Sequence, residues 1–281
     1  MRESSAAQDE QAQLWNGPAA RAWIDAQALI DTMFRPIEQV LLDSLMPGGG
    51  GRLLDIGCGT GGTTLAAARR LGTGAVCTGV DVSEPMVAAA RERAAWEGIN
   101  ADFIAADAAT ARFEPQRFDA MISRFGVMFF ADPVAAFAHL RRAARSGAML
   151  RFVAWRGVAE NGFMTTAERA AAQLMPALPP RDPDAPGQFA FADGARVRAI
   201  LDQAGWRDVR VVGADIDCAM PAAALPDYLM HFGPLGRALR DVDADTRRRV
   251  VDAVLPAFEP YRSGTGIRYA AACWIVDARA P

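Results

Sequence analysis

The ten residues at 53–62, Leu-Leu-Asp-Ile-Gly-Cys-Gly-Thr-Gly-Gly, constrain the fold of this 281-residue chain more than any other segment. An apolar run that enters a glycine-rich turn and continues into a helical segment is typical of nucleotide-binding units. Because glycine has no Cβ, such a turn can adopt positive φ angles and bring its N–H groups against a ligand at the helix N-terminus. We therefore predict that this loop binds a nucleotide or an amino-acid group.

The spacing of these glycines is compatible with two kinds of cofactor. Gly57, Gly59 and Gly62 fit the dinucleotide pattern G-x-G-x-x-G. The pattern G-x-G-x-G is also present, since Gly61 follows Gly59 by two residues. Asp81 ends the next predicted strand and can accept hydrogen bonds from ribose hydroxyls in either case. These residues predict a nucleoside ligand without deciding which one.

The order of predicted strands and helices favours an α/β fold. Strands are predicted at 52–56, 75–81, 103–106, 118–123 and 148–155, with helices at 63–71, 84–97 and 133–145. Successive strand and helix units of this length require parallel strands, because parallel neighbours need long crossover connections. We therefore expect a Rossmann-like, mostly parallel sheet with helices on both faces.

Further segments flank and interrupt this core. Residues 1–47 are predicted to form an N-terminal helical segment, and 48–281 the main domain. A helix at 196–205 and strands at 209–216 and 268–276 continue the core pattern. Two cap insertions are predicted, at about 156–194 and 217–264. The first contains an Asn161–Gly162 turn, a helix near 165–174 and a proline-rich stretch at 176–186. Such insertions build the ligand crevice at the carboxyl ends of the strands.

Composition excludes several functions. All thirty basic residues are arginine, so a Schiff-base lysine and a P-loop lysine are both absent. A net charge of -3 gives no basic excess for a nucleic-acid partner. The four cysteines form no C-x-x-C pair, which disfavours a metal site and a redox dithiol. No apolar run is long enough to cross a bilayer, so we expect no membrane span. We expect a cytoplasmic location, because the cysteine pattern fits a reducing compartment.

Two acidic residues favour a nucleoside that carries an amino acid. Asp55 lies within the first predicted strand, where a buried carboxylate is costly unless it has a cationic or donor partner such as an ammonium group. Asp107 follows the third strand and could accept a hydrogen bond from an adenine amino group. The alternative for Asp107 is a surface acid that caps a turn.

These motifs together resemble class I S-adenosylmethionine (SAM)-dependent methyltransferases, and more closely the quinone-biosynthesis type that acts on small molecules. The resemblance lies in Leu-Asp-Ile-Gly-Cys-Gly-Thr-Gly at 54–61, Gly-Val-Asp-Val-Ser at 79–83, Asp-Ala at 107–108, Phe-Asp at 118–119 and Ser-Arg-Phe-Gly-Val-Met-Phe-Phe at 123–130. It implies a seven-stranded sheet whose last strand, here 268–276, is antiparallel. It also implies SAM as cofactor, S-adenosylhomocysteine as product, and no metal.

The resemblance also implies a set of cofactor-binding residues. These are Asp55 near the ammonium group, Gly57, Gly59 and Gly61 along the methionine moiety, Asp81 at the ribose hydroxyls, Met86, Asp107 and Ala108 at the adenine, Ser123 at the mouth of the active site, and Val82 as a further cofactor-binding residue. The chain departs from methyltransferases that act on nucleobases or protein side chains. Neither the Asn/Asp-Pro-Pro-aromatic motif nor a pair of glutamates follows the fourth strand, so a small-molecule acceptor is favoured.

Catalytic candidates are fewer, because SAM already carries an activated methyl group and a base is needed only if the acceptor must lose a proton. His231, in the second insertion, is the candidate base or substrate ligand, whereas His139 is expected to be structural. Arg124 is expected to bind an anionic group of the substrate or an acid such as Asp55 or Asp132. The apolar candidates for the substrate pocket are Trp15, Phe125, Met128, Phe129, Phe163, Phe189 and Phe191.

Two alternatives stay open at this point. An NAD-dependent oxidoreductase would fit the glycine spacing and Asp81, but it leaves Asp55 and Asp107 unexplained. A non-catalytic SAM-binding module would retain the glycine loop but would need no closed acceptor pocket. The sequence also allows a homodimer, and it does not identify the acceptor.

Overall fold

The computed structural model describes residues 2–175 and 185–281. It begins with three helices, α1 (Arg2–Asn16), α2 (Pro18–Asp25) and α3 (Gln27–Leu42). The apolar residues of α3 recur at helical spacing and are buried in the main core: Ile30, Met33, Phe34, Ile37 and Leu41. The N-terminal helical segment therefore shares its core with the sheet that follows.

The first half of the sheet is parallel. Its elements are β1 (Gly51–Ile56), α4 (Gly62–Leu71), β2 (Ala75–Asp81), α5 (Glu84–Glu97), β3 (Ala101–Ala105), β4 (Phe118–Arg124), α6 (Pro133–Ala143) and β5 (Ala144–Trp155). Adjacent strands follow the order β3-β2-β1-β4-β5. Leu53 and Leu54 of β1 belong to different apolar clusters, as expected for a strand covered on both faces. Each predicted strand and helix in this half is confirmed, with ends shifted by up to four residues.

The second half adds the antiparallel part of the sheet and the insertions. Its elements are α7 (Gly162–Ala171), α8 (Gly194–Gln203), β6 (Arg207–Pro221), α9 (Leu225–His231), α10 (Gly233–Ala238), α11 (Ala244–Val254), β7 (Arg262–Ser263) and β8 (Gly266–Arg279). β8 lies between β5 and β6 and is antiparallel to both, while the two-residue β7 pairs with β8. The predicted seven-stranded, mostly parallel sheet with a final antiparallel strand is confirmed, and β7 is an addition to it.

Three details differ from the sequence-based expectations. The strand predicted to end at 216 continues to Pro221, because its residues pair with β8 as far as Gly266. The predicted turn at Asn161–Gly162 is instead the start of α7. The buried Asn161 side chain accepts from the Ala272 N–H and donates to the Ala272 carbonyl, which fixes this start against the sheet. Most of the predicted proline-rich stretch, residues 176–184, lies outside the described residues.

Candidate active site

A cavity of about 940 Å³ opens at the carboxyl ends of the parallel strands. The glycine loop and the ends of β2 and β4 line one side of it. The other side comes from α1, α2, α9 and α10. This position, outside the carboxyl ends of the strands of an open α/β sheet, is where such folds bind their ligands.

The glycine loop enters the cavity through Gly57 and Gly59, which have φ angles of +70° and +53°. A Cβ on Gly59 would meet only Met86 Sδ, at 3.9 Å, so this part of the loop is open to a ligand. Gly61 differs from the expectation that it would line the methionine site. A Cβ there would lie 3.0 Å from both Ala90 and Phe103, so this glycine allows close packing of the loop against α5 and β3.

Asp81 lies at the end of β2 and lines the cavity. Its Oδ2 accepts a hydrogen bond from the Gly59 N–H at 2.8 Å, and its Oδ1 accepts one from the Ser83 N–H at 2.9 Å. Burial raises the pKa of Asp81, and these backbone N–H groups oppose the shift. Each carboxylate oxygen can accept a further bond, so Asp81 is suited to bind hydroxyl groups. Val82 and Met86 line the cavity beside it.

Asp107 lines the cavity with Ala108 and also closes a turn, while its binding of adenine stays a prediction. Its Oδ1 accepts from the Ala109 N–H at 2.8 Å, which closes a turn. Its Oδ2 accepts from the side-chain amide of Gln8 on α1. The sequence analysis did not single out Gln8, since a glutamine on a polar helix face carries no distinctive signal.

Asp55 is buried behind the glycine loop, outside the described lining of the cavity. Its Oδ2 accepts from the Thr64 hydroxyl at 2.6 Å, while its Oδ1 has no hydrogen-bond partner among the described residues. Burial raises the pKa of Asp55 to about 6, and the Thr64 bond and the charge of Arg124 oppose the shift. A buried acceptor without a partner fits a ligand that carries an ammonium group.

Arg124 ends β4 and lines the cavity. Among the acids suggested from the sequence, Asp55 interacts with the Arg124 charge, which opposes the rise in the pKa of Asp55 caused by burial, but neither Asp55 nor Asp132 is within ion-pair distance of Arg124 in the described chain. The guanidinium is instead 3.8 Å from Asp31 Oδ1 and 4.0 Å from Glu38 Oε2, both on α3. These two acids were missed. Their seven-residue spacing places them on one face of a helix, and this spacing within an otherwise apolar face was the available signal.

Two other predicted residues lie outside the described lining. Ser123 is buried, and its hydroxyl donates to the Ile56 carbonyl at 2.7 Å and accepts from the Gly126 N–H at 3.1 Å. It therefore joins β4 to the glycine loop. Phe163 is stacked on Tyr269 in the core, with ring centroids 3.9 Å apart.

The two histidines have different environments. His139 bonds to the Ala111 carbonyl through Nε2 at 2.7 Å and to Arg142 through Nδ1, which is consistent with a structural role. His231 is exposed at the end of α9 and lines the cavity.

Apolar side chains, most of them aromatic, form one wall of the cavity. The predicted Trp15, Phe125, Met128, Phe129 and Phe189 line it, together with Trp23, Phe34, Phe130, Trp155, Tyr228 and Phe232. Phe191 is buried outside the described lining. Trp15 contacts Phe129 edge to face, with centroids 5.2 Å apart. This wall is suited to a flat apolar ligand.

Across residues 2–175 and 185–281, no cluster of three or more histidine, cysteine, aspartate or glutamate side chains could hold a metal ion. Within the same residues, no helix combines the length and apolarity needed to cross a bilayer.

Comparison with known proteins identifies the family. Residues 53–147 match the model of a methyltransferase domain. The chain is 30% identical over 201 residues to nocamycin O-methyltransferase of Saccharothrix syringae, which covers 68% of this chain and 71% of that protein. It is 32% identical over 120 residues to aklanonic acid methyltransferase of a Streptomyces species, covering 42% of this chain and 54% of that protein.

A solved structure has the same fold. Phosphoethanolamine N-methyltransferase 2 of Haemonchus contortus, in complex with S-adenosylhomocysteine, aligns with a TM-score of 0.55 at 20% identity, covering 87% of this chain and 52% of that one. The glycine loop, the cavity at the strand ends and these relatives agree. The chain belongs to the class I SAM-dependent methyltransferases and is an enzyme that uses SAM to methylate a small molecule.

Proposed function

We propose that this enzyme methylates an oxygen atom of an apolar, aromatic small molecule. The observation that carries the proposal is the aromatic wall of the cavity, which includes Trp15, Phe125 and Trp155. The name of nocamycin O-methyltransferase supports oxygen as the acceptor. The name of aklanonic acid methyltransferase supports an acidic natural product as the kind of substrate.

The residues of the glycine-loop side are proposed to hold the cofactor. Asp81 would accept from the ribose hydroxyls, and Asp107, beside Ala108, would accept from the adenine amino group once Gln8 has moved away. Val82 and Met86 would pack on the nucleoside. At the methionine end of SAM, the backbone of Gly57 and Gly59 would approach the cofactor directly, and Asp55 would act by its charge. Gly61 and Ser123 would hold the glycine loop in its conformation. When bound, SAM supplies a methyl group on a sulfonium.

The aromatic wall of the cavity is proposed to position the acceptor. Stacked and edge-to-face rings exclude water and orient a flat molecule, which favours in-line attack. His231 lines the cavity and is the residue proposed to take a proton from a hydroxyl acceptor. Arg240 also lines the cavity and can attract an anionic oxygen.

The division of the chain follows from the same proposal. Segments at about 156–194 and 217–264 act as caps, because residues such as Met164, Tyr228 and His231 extend from them to the cavity. The 48–281 domain carries the cofactor loop, and the 1–47 segment covers its opening. A quinol acceptor, a homodimer, the lack of a nucleic-acid partner and a cytoplasmic location stay predictions.

Methyl transfer from isotopically labelled SAM to a panel of phenols, enols, carboxylic acids and amines tests the proposal. We expect labelled ethers or esters, and no product from the matched substrates whose oxygen is already methylated. The variant His231→Gln should lower kcat most for the least acidic hydroxyls, because these need a base. The variant Arg248→Gln, at an exposed site on α11, serves as the control. Exclusive methylation of nitrogen or carbon would refute an oxygen acceptor.

A further inference from the structure

The two cap segments bring positive charge to the cavity. Arg237 and Arg240 line it from the second cap, together with His231. Among the described residues of both caps, no aspartate or glutamate lines it. The acids in the described lining all come from outside the caps, and they are Asp81, Asp107 and Asp132. Because opposite charges attract, the caps favour an acceptor that carries negative charge.

The acids of the lining have roles away from the caps. Asp81 and Asp107 belong to the proposed cofactor site. Asp132 caps α6, where its Oδ1 accepts a hydrogen bond from the Ala135 N–H at 2.9 Å. The positive charge of the second cap is therefore not accounted for by these three carboxylates.

Arg240 differs from Arg124, the arginine of the lining that belongs to the core. Arg124 lies within ion-pair distance of Asp31 and Glu38. Arg240 is half-buried, and it has neither a hydrogen bond nor an ion pair with any residue that the structure describes. A cation that has lost part of its hydration without gaining a partner is costly, and such an arginine in a cavity is suited to bind an anion.

The backbone that carries Arg240 is held in place. Arg240 is the middle residue of a 3₁₀ turn, Leu239–Asp241, and the Leu239 side chain is fully buried in the main core. The Arg247 guanidinium on α11 donates to the Leu239 carbonyl at 2.9 Å and to the Val242 carbonyl at 3.2 Å. A side chain that extends from a fixed turn has less freedom to lose when it binds a ligand, which favours recognition.

Gly236 packs α10 against the end of α9. A Cβ on Gly236 would lie 2.6 Å from the His231 carbonyl carbon, so a larger residue would force the two helices apart. His231, the proposed base, is therefore in backbone contact with the helix that carries Arg237 and leads to Arg240. The packing that positions the proposed base also positions the positive charge.

Aromatic rings adjoin this positive charge. Phe232, between α9 and α10, stacks on Tyr228 with ring centroids 5.5 Å apart. It also contacts Trp23 of α2 edge to face, at 5.7 Å. All three rings line the cavity. A flat apolar surface next to arginine side chains is complementary to an aromatic ring that bears an acidic group.

We propose that Arg240, assisted by Arg237, binds the carboxylate of a flat aromatic acid and thereby selects acidic acceptors over neutral ones. The planar guanidinium can donate two parallel hydrogen bonds to a carboxylate, which fixes the direction of the bound acid as well as its charge. Arg240 is therefore a specificity-determining residue. The inference rests on the proposed function, since it names the class of acceptor that the same cavity takes.

Calorimetric titration of the enzyme saturated with S-adenosylhomocysteine tests the assignment, because the acceptor cannot react without a methyl donor. The probes are two matched pairs, hydroxynaphthoate with hydroxynaphthamide and anthracene carboxylate with anthracene carboxamide. Each amide has nearly the shape of its acid without the charge. We expect the wild type to bind each acid about 10- to 100-fold more tightly than its amide, the worth of a hydrogen bond to a charged group.

Three variants locate this preference. Arg240→Gln should lose most of it by weakening the binding of the acid and leaving that of the amide unchanged. Arg240→Lys should retain part of it, because the charge remains but the paired donors do not. Arg248→Gln removes one positive charge from an exposed site of the same cap and should leave the preference unchanged.

Salt provides a second measurement that needs no variant, which keeps the inference testable if Arg240→Gln does not fold. Raising the ionic strength should weaken the binding of the acids by the wild type more than that of the amides, because salt screens a partly exposed charge pair.

A wild type without preference for the acid in either pair, including one that binds no probe, would overturn the inference. So would an Arg240→Gln variant that keeps the wild-type preference or weakens acid and amide equally. Failure of the proposed function gives a different result: the preference for acids would change as expected, but the labelled methyl group would be found on nitrogen or carbon.

Discussion

Phe125 stacks on Trp155 with ring centroids 4.4 Å apart and ring planes 4° apart, while its backbone has a φ angle of +65°. A residue with a Cβ in this left-handed conformation is strained by about 1–2 kcal/mol. Such strain persists where surrounding contacts outweigh it, and it is concentrated at functional sites. Both rings line the cavity, so the strained backbone places a flat apolar surface where the acceptor is proposed to bind.

Two substitutions of Phe125 separate the effect of its backbone strain from the effect of its ring stacking on Trp155. Phe125→Ala removes the ring and keeps the strain, whereas Phe125→Gly removes both. We therefore expect the glycine variant to be more stable than the alanine variant by about 1 kcal/mol, measured by urea unfolding. Both should raise the KM of an aromatic acceptor similarly and leave S-adenosylhomocysteine binding unchanged. An alanine variant that is more stable than the glycine variant would contradict the claim that the backbone of Phe125 is strained.

Two glycines of the cofactor loop offer a matched comparison. A Cβ on Gly57 would lie 2.6 Å from the Gly126 Cα, where neither backbone can move easily. Gly57→Ala should therefore lower the free energy of unfolding by about 2–4 kcal/mol through overpacking and strain. Gly59→Ala has room in the ligand-free protein and should cost only about 1 kcal/mol, yet weaken S-adenosylhomocysteine binding tenfold or more. Urea unfolding measures the loss of stability in each variant, and calorimetry measures the binding of S-adenosylhomocysteine. Equal destabilisation by the two substitutions would contradict the prediction.

The sequence predicted the fold well because the relevant signals are local. Apolar runs, glycine turns and helix caps lie within a few residues of the elements they define, as with the Ser83 and Asp132 caps that begin α5 and α6. Gly57 and Asp81 were also predicted from local signals, since each belongs to a short sequence motif and each lines the cavity. The end of β6 was harder to predict, because its last residues become a strand only by pairing with β8.

The parts of the site that the sequence did not predict depend on distant contacts. Arg124 contacts Glu38, which is 86 positions away, and no local pattern shows which helix covers β4. Gly61 and Gly62 look equivalent in the sequence, but their roles depend on what a side chain would meet, Phe103 in one case and Asp31 in the other. Phe163 was misplaced because apolar composition does not distinguish a core ring from a cavity ring.

Gln8 is expected to compete with the cofactor. Its amide donates to Asp107 Oδ2, the oxygen proposed to accept from the adenine amino group. Gln8→Ala should therefore tighten S-adenosylhomocysteine binding by about 10- to 100-fold, the worth of one hydrogen bond to a charged group. Gln13→Ala, exposed on the same helix, should have no effect in the same titration. Weaker binding by Gln8→Ala would instead show that this amide contacts the bound nucleoside.

The pH dependence of stability should reveal the raised pKa of the buried Asp55 carboxyl. Burial raises its pKa from an ordinary 3.8 to about 6, so the folded protein holds this proton more tightly than the unfolded chain. As pH rises from 4 to 6 the unfolded chain loses the proton first, and the wild type loses stability relative to Asp55→Asn. The shift corresponds to a change of up to about 3 kcal/mol in the difference between the two free energies of unfolding. Above pH 7 that difference should be constant.

Urea unfolding of the wild type and Asp55→Asn, at steps of one pH unit from pH 4 to pH 8, measures this difference. The change of the difference with pH does not depend on any pH-independent effect of the asparagine on stability. Asp25→Asn, at an exposed helix position, is the matched control. Saturating S-adenosylhomocysteine should stabilise the wild type at pH 8 far more than at pH 5, because only the ionised carboxylate attracts the ammonium group. A difference that stays flat from pH 4 to pH 6 would mean that Asp55 remains ionised in the folded protein, held by Arg124 without any ligand.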